Sequence, residues 1–168
     1  MNTLASVTTR CIAQTTTDSP LGELRLARTD KGLAGVWFTG QKWHPAPFDA
    51  PVRRDDPLFT LAATQLNNYF AGRATRFDLP LDLLGTPFQQ AVWRALLAIA
   101  SGATLSYGAL ARQLGTPQAM RAVGAAVGRN PVSVIVPCHR VVGADGRLTG
   151  YAGGLDRKRA LLALEGVA

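Results

Sequence analysis

The stretch Val132-Ser133-Val134-Ile135-Val136-Pro137-Cys138-His139-Arg140-Val141-Val142 constrains this chain more than any other. Its β-branched, apolar start predicts a buried strand ending at a proline. A thiol, an imidazole and a guanidinium then follow without a gap. Polar groups at the end of a buried strand are costly unless they are paired or used. Cys138 is therefore the candidate nucleophile, with the chain from about residue 85 onward organised to support it. A buried inert cysteine is the alternative, and the adjacent His139 and Arg140 count against it.

The 168 residues suffice for one domain or two small ones. Hydrophobic residues at 47% and charged residues at 17% exclude a disordered chain. The net charge of +7 is uneven: residues 1–85 hold nine Lys/Arg against eight Asp/Glu, residues 86–168 nine against three. The basic half is the half that carries Cys138, which favours a polyanionic partner, nucleic acid, over a merely solvated face. Fifteen of the eighteen cations are arginine, which suits bidentate phosphate contacts, although a GC-rich genome gives the same bias.

Two cysteines, Cys11 and Cys138, cannot build a disulfide framework, and a reducing compartment fits them better. His44 and His139 are the only histidines, and these four residues are poorly spaced for zinc, so no metal is expected. The stretch Met1 to Pro20 lacks the apolar core of a signal peptide, and no run approaches membrane-spanning length. A cytoplasmic protein away from membranes is expected.

In the first half, Leu21–Ala27 alternates like a strand, Thr29-Asp30-Lys31-Gly32 is a turn signal, and Leu33–Phe38 reads as the second strand of a hairpin. Residues 39–57, with four prolines, form an irregular connection in which Trp43 and His44 read as half-packed loop residues. Asp56 and Pro57 open a helix with Leu58, Leu61, Ala62, Gln65, Leu66 and Tyr69 on one face, ended by Gly72. Phe77–Leu81 predicts another short strand. These elements make a small α/β domain over residues 1–80, with a linker at 81–86.

Residues 87–168 predict a mainly α domain. Thr86-Pro87-Phe88-Gln89 is a capping box with proline in the first turn, followed by a buried stripe of Phe88, Val92, Ala95, Leu96 and Ile99. Ser106 caps a helix over Tyr107–Leu114, Gly115-Thr116-Pro117 turns the chain, and another helix runs from about Gln118 to Val127. Two short helices across such a turn make a helix-turn-helix pattern. Met120, Val123 and Val127 are the expected core face of the second. Arg121, Gly124, Ala125 and Gly128 form an opposing flat stripe, and each glycine costs that helix about 1 kcal/mol. Such a face admits another helix or a nucleic-acid groove; Arg121 at its head favours the groove. Ala144-Asp145-Gly146 predicts a hairpin between Val141–Val142 and Arg147–Leu148, hence a winged arrangement. Tyr151–Gly154 is a loop, and Leu155–Glu165 a last helix whose Arg157-Lys158-Arg159 reads as a solvated face.

A thiol attacks as its thiolate, usually with help from a histidine and a carboxylate behind it. Adjacent side chains on an extended strand point to opposite faces. Contact between Cys138 and His139 therefore needs a bend after Pro137 or a water that relays the proton. Glu165 is the acid of interest: it sits at a helix C-terminus, where the macrodipole disfavours negative charge, unless it is simply exposed.

Pro137-Cys138-His139-Arg140-Val141 resembles the active-site motif of the O6-alkylguanine-DNA alkyltransferases. Phe88-Gln89-Gln90-Ala91-Val92-Trp93, Ser106-Tyr107, Arg121-Ala122-Val123-Gly124, Asn130-Pro131, Tyr151-Ala152-Gly153-Gly154 and Glu165-Gly166 fall in that family's order and spacing. The resemblance is dense from about 86 to 166 and weaker before. It implies a ribonuclease H-like N-terminal domain and a winged helix-turn-helix C-terminal domain. It also implies irreversible transfer of an alkyl group from guanine O6, and more weakly thymine O4, to Cys138 after the base is turned out of duplex DNA. By the same resemblance His139 relays the proton through a water, Glu165 orients His139, Asn130 supports the thiolate and Tyr107 helps extrude the nucleotide and donates to the departing guanine. Arg121 would fill the vacated stack, with Gly124, Ala125, Gly128 and Arg129 beside it in the minor groove. Val136, Pro137, Val141, Tyr151, Ala152 and Gly153 would shape the pocket. No cofactor is implied, since the damaged base is itself the donor, and the protein would be a monomer in solution, with clustering on DNA left open. Zinc-binding members carry N-terminal ligands missing here, so Cys11 is expected to be structural. In some relatives a serine stands at Ala152. Competing readings are a lesion-binding or regulatory winged helix without transfer, and a cysteine hydrolase.

Overall fold

A computed structural model describes residues 3–167. Helix α1 (Thr3–Arg10) leads into β1 (Ala13–Thr17), β2 (Leu24–Arg28) and β3 (Leu33–Phe38), an antiparallel sheet in the order β1-β2-β3. The sequence reading missed α1 and β1, and started β2 too early. Gly22 takes φ +115° after Pro20 and closes a turn onto Ser19, so the strand cannot begin before Leu24. β3 is buried at every position. Gly35 is obligatory there, because an added Cβ would lie 1.9 Å from the Trp37 ring.

Asp56 caps α2 (Pro57–Phe70) by accepting from Leu58 N, as its sequence predicts. Leu58, Phe59, Ala62, Leu66 and Tyr69 enter one apolar core with Leu24, Leu26, Val36 and Phe38 of the sheet. The same core continues into Val92, Trp93, Leu96, Leu110, Val123 and Val127 of the second half. The other face of the sheet packs Val7 and Cys11 against Ala27, Ala34 and Trp37. Phe77–Leu81 is not a strand. Pro80 has no N–H to give a ladder, Gln65 takes both backbone groups of Asp78, and Leu81 alone bridges to Leu33.

The second half is helical: α3 (Pro87–Leu97), β4 (Leu105–Ser106) running directly into α4 (Tyr107–Gln113), and α5 (Met120–Gly128) after a single 3₁₀ turn, with β5 (Val141–Val142) and α6 (Leu155–Leu164) completing it. The Thr86–Gln89 capping box and the Ser106 cap form as expected. Two core assignments shift. Met120 is 51% exposed and Phe88 also faces solvent, while Trp93 and Ala126 are buried, joined by a hydrogen bond from Trp93 Nε1 to Ala126 O. The expected hairpin onto Arg147–Leu148 is reduced to a turn with Gly143 N donating to Arg147 O; β5 pairs instead in parallel with β4.

The largest correction concerns Val132–Val136, which is buried but not a strand. Val132 bridges β3 at Val36, Val134 sits in the left-handed region at φ +72°, and Cys138–Arg140 form a 3₁₀ turn. An apolar run reports burial, which a loop also satisfies when something answers its backbone. Here Asn130 does so: Nδ2 donates to Val132 O and Val136 O, and Oδ1 accepts from Val132 N.

Candidate functional site

Asn130 also places the thiol. The same Nδ2 lies 3.2 Å from Cys138 Sγ, which is 6% exposed at residue level. Burial raises the thiol pKa, opposed by the Asn130 donor and by the nearby Lys158 ammonium. At rest the sulfur is therefore a protonated thiol.

His139 is fully buried, with Nε2 2.8 Å from Glu165 Oε1. The carboxylate can only accept, so Nε2 carries the proton and Nδ1 is the acceptor of a neutral ring. Nδ1 has no protein partner among the described residues. Burial lowers the His139 pKa against the opposing pull of Glu165, and Arg140 and Lys158 lower it further. Thiol and imidazole thus rest as a neutral pair, and among the described residues no hydrogen bond joins Cys138 Sγ to the His139 ring.

Glu165 is the C-cap of α6, and its side chain is 1% exposed, not solvated. Arg140 reaches both oxygens, Nε to Oε2 at 2.9 Å and Nη2 to Oε1 at 2.8 Å, and spends Nη1 on Ile99 O. Tyr69, from α2 in the other half of the chain, donates to Oε1 at 2.7 Å. Burial pushes the carboxyl up, but the hydrogen bonds from His139, Arg140 and Tyr69 and the neighbouring charge hold it at about 2. It stays a carboxylate that accepts from His139 Nε2 without taking its proton.

Cys138 opens onto a cavity of about 220 Å³ walled by Tyr107, by Gly124, Val127 and Gly128 of α5, and by Gly150, Tyr151 and Ala152. The Tyr107 hydroxyl makes a long 3.5 Å bond to Thr149 O. On the flat face of α5, a Cβ added at Gly124 would lie 3.8 Å from the Tyr107 ring of α4, and one added at Gly128 would meet nothing within 4 Å. Arg121 and Ala125 are exposed beside it. Of the other expected pocket residues, Val136 and Val141 are fully buried behind the cavity and Gly153 lies under the Tyr151 ring. Pro137 faces a separate cavity of about 500 Å³, with Ile135 and Arg140.

Five contributors escaped the sequence reading. Tyr69 had a signal: a tyrosine on a core-facing stripe needs a partner for its hydroxyl. Lys158 belongs to no solvated face. It is fully buried, with Nζ donating to Val141 O, Thr149 O and Gly150 O. Arg157 likewise stacks over Phe38 and bonds Leu21 O and Gly153 O, which leaves only Arg159 exposed in that run. Lys42 and Trp43 reach the same cavity from the first half, and Arg129 stacks over the Trp43 ring at 4.5 Å. Cys11 is buried with its pKa pushed up to about 11 by burial and by Asp82. Among the described residues no cluster of three or more His, Cys, Asp or Glu could hold a metal, and no helix is long and apolar enough to cross a membrane.

Comparison with known proteins agrees with this arrangement. Residues 12–83 match the family described as 6-O-methylguanine DNA methyltransferase, ribonuclease-like domain, and residues 87–167 match its DNA binding domain. The methylated-DNA–protein-cysteine methyltransferase of Mycobacterium tuberculosis is 53% identical over 150 residues, covering 89% of this chain and 90% of its own. That of Methanosarcina acetivorans is 49% identical over 89% of this chain and 95% of its own. The crystal structure of M. tuberculosis OGT in complex with DNA superposes with a TM-score of 0.83 at 52% identity, covering 92% of each chain.

Proposed function

The chain belongs to the 6-O-methylguanine DNA methyltransferase family, and from that premise we propose how its residues repair alkylated DNA. The observation that carries the assignment is the pair of bonds Asn130–Cys138 and His139–Glu165 on adjacent residues, with Cys138 lining the cavity. A guanine turned out of the duplex brings its O6-alkyl carbon to Cys138 Sγ. The thiol proton passes through a water to His139 Nδ1, whose Nε2–H Glu165 holds in place. Sulfur then bonds the alkyl carbon as the carbon–O6 bond breaks. The electron pair leaves on the base, which takes a proton from the Tyr107 hydroxyl, and the proton held by His139 returns through water to the tyrosinate. The product is a thioether that nothing in the site hydrolyses, so one molecule repairs one lesion.

Duplex DNA is the partner, a reading supported by the 52% identical relative solved with DNA. α4 and α5 act as a helix-turn-helix whose second helix lies in the minor groove with Arg121 in the vacated stack; the turn at 143–147 stands where a wing would. The chain is read as a ribonuclease H-like domain over 1–80, a linker over 81–86 and a DNA-binding domain over 87–168, a reading supported in outline by two matched segments, 12–83 and 87–167. Action as a monomer in the cytoplasm completes the reading.

Intact-mass analysis after incubation with an O6-methylguanine duplex should show one added methyl, located on Cys138 by peptide mapping. Cys138→Ala should bind the duplex and remove no methyl. Unmodified wild-type protein, or repair by the alanine variant, would overturn the assignment.

A further inference from the structure

The connection after β3 belongs to the half of the chain with no catalytic group, yet it is built tightly at one point. Gln41 is buried, and its Oε1 accepts from Phe38 N at the end of β3 and from Ser133 Oγ in the loop that precedes the thiol. His44 N donates to Gln41 O, and Lys42 N donates to Ala152 O on the far wall of the Cys138 cavity. This turn holds Trp43 at φ +62°, a conformation that bulky residues rarely adopt and that tends to persist at functional positions. Burial does not explain it, because Trp43 stays 40% exposed. The ring instead lines the cavity, with Arg129 at 4.5 Å and the Lys42 ammonium at 5.3 Å from its centroid.

An aromatic ring with two cations within reach of it, lining a cavity that receives a base, matches the two chemical parts of a nucleotide. We propose that the Lys42–Trp43 turn, with Arg129, is a second seat for the extruded nucleotide: the Trp43 ring lies against its base or sugar, and Lys42 and Arg129 meet its phosphate. The proposal rests on the alkyl-transfer reading. It makes the sheet half of the chain a direct substrate contact and not only a scaffold.

Full-length Trp43→Gly, Trp43→Ala, Trp43→Phe and Lys42→Met are compared with wild type in single-turnover alkylation of an O6-methylguanine duplex and of free O6-benzylguanine. Glycine removes the ring while accepting the positive φ, so Trp43→Gly keeps the turn even where Trp43→Ala misfolds. Trp43→Gly should react with duplex about five- to a hundredfold more slowly, the value of one base–aromatic stack, and Trp43→Phe should recover most of the loss. Lys42→Met should slow duplex repair more than it slows the free-base reaction, and flatten the duplex log rate–log salt slope by about 0.9 for one lost phosphate contact. Trp43→Gly repairing duplex at the wild-type rate, or a Lys42→Met salt slope equal to wild type, would overturn the proposal. If wild type itself gains no methyl on Cys138, the alkyl-transfer reading fails instead, so the two failures are told apart in one experiment.

Discussion

Replacing Glu165 by glutamine tests the densest electrostatic knot in the molecule. Oε1 meets Tyr69, Arg140 and His139, and Oε2 meets Arg140 again. An amide carries one acceptor and one donor group, so either orientation turns N–H groups toward N–H or O–H groups. It also leaves the Arg140 guanidinium, 7% exposed, without a counter-charge. Breaking a buried pair of this kind costs about 3–5 kcal/mol, or a fall in Tm of about 6–20 °C for a chain of this size. The acid side gives an independent measure. The fall of the Glu165 pKa from an ordinary 4.5 to about 2 on folding corresponds to about 3 kcal/mol at about 1.4 kcal/mol per pH unit. Because the folded-state pKa is depressed, that stability is present above pH 4.5 and lost as the pH falls toward 2. Urea unfolding of wild type and Glu165→Gln at pH 7 and pH 2 separates this group from all others: the gap between the two proteins should narrow by about 3 kcal/mol on acidification. A gap that stays constant, or a variant as stable as wild type at pH 7, would refute the reasoning. In the transfer assay the variant should also react more slowly, with its pH–rate profile moved to higher pH.

Lys158→Met should leave the carbonyls of Val141, Thr149 and Gly150 without their donor, at about 1–3 kcal/mol for each that stays buried; hydrogen exchange should speed up across residues 149–152, and unchanged protection there would contradict the assignment. Asn130→Ala removes the one side-chain donor to Cys138 Sγ among the described residues, leaving the backbone N–H groups of Cys138 and His139. Since a bond to a charged group is worth about 1.5–3 kcal/mol, thiol alkylation should slow by about ten- to a hundredfold, and an unchanged rate–pH curve would remove Asn130 from thiolate support. Arg121→Ala should depress repair of duplex far more than reaction with free O6-benzylguanine, because only the duplex demands base extrusion; equal losses would argue against insertion into the stack.

Where a signal was local, the sequence was legible. Asp56-Pro57 and Thr86-Pro87-Phe88-Gln89 specify their helix starts through partners within three residues, and both caps form. The misplaced-looking acid at the end of the last helix was readable because the dipole made it anomalous. Legibility failed where a distant side chain decides the conformation. Val132–Val136 announces burial, but its backbone path is set by one amide side chain at Asn130. Arg157-Lys158-Arg159 reads as a solvated run until Lys158 finds carbonyls eight to seventeen residues earlier. Tyr69 meets Glu165 across 96 residues of chain, and no periodicity encodes that. Of the two uses open to the flat face of α5, contact with a neighbouring helix is present between Gly124 and Tyr107, and the stretch at Gly128 is open.

The pairing of Val132 with Val36 has a mechanical consequence. β3 ends the sheet, and a bare outermost strand of six apolar residues would be a template for aggregation. Residues 131–133 cover it, with Val36 N donating to Pro131 O and Ser133 N to Val36 O, and Leu81 bridges the strand farther down at Leu33. The segment that leads to the thiol is therefore also the guard rail of the sheet, and it cannot swing open to admit a base without uncovering a sticky seam. Rigidity is thus imposed on the side of the cavity that carries the sulfur. The compliance needed to admit and release a nucleotide falls to the opposite wall, residues 149–152, which is fastened by the Lys158 ammonium on Thr149 O and Gly150 O and by Lys42 N on Ala152 O.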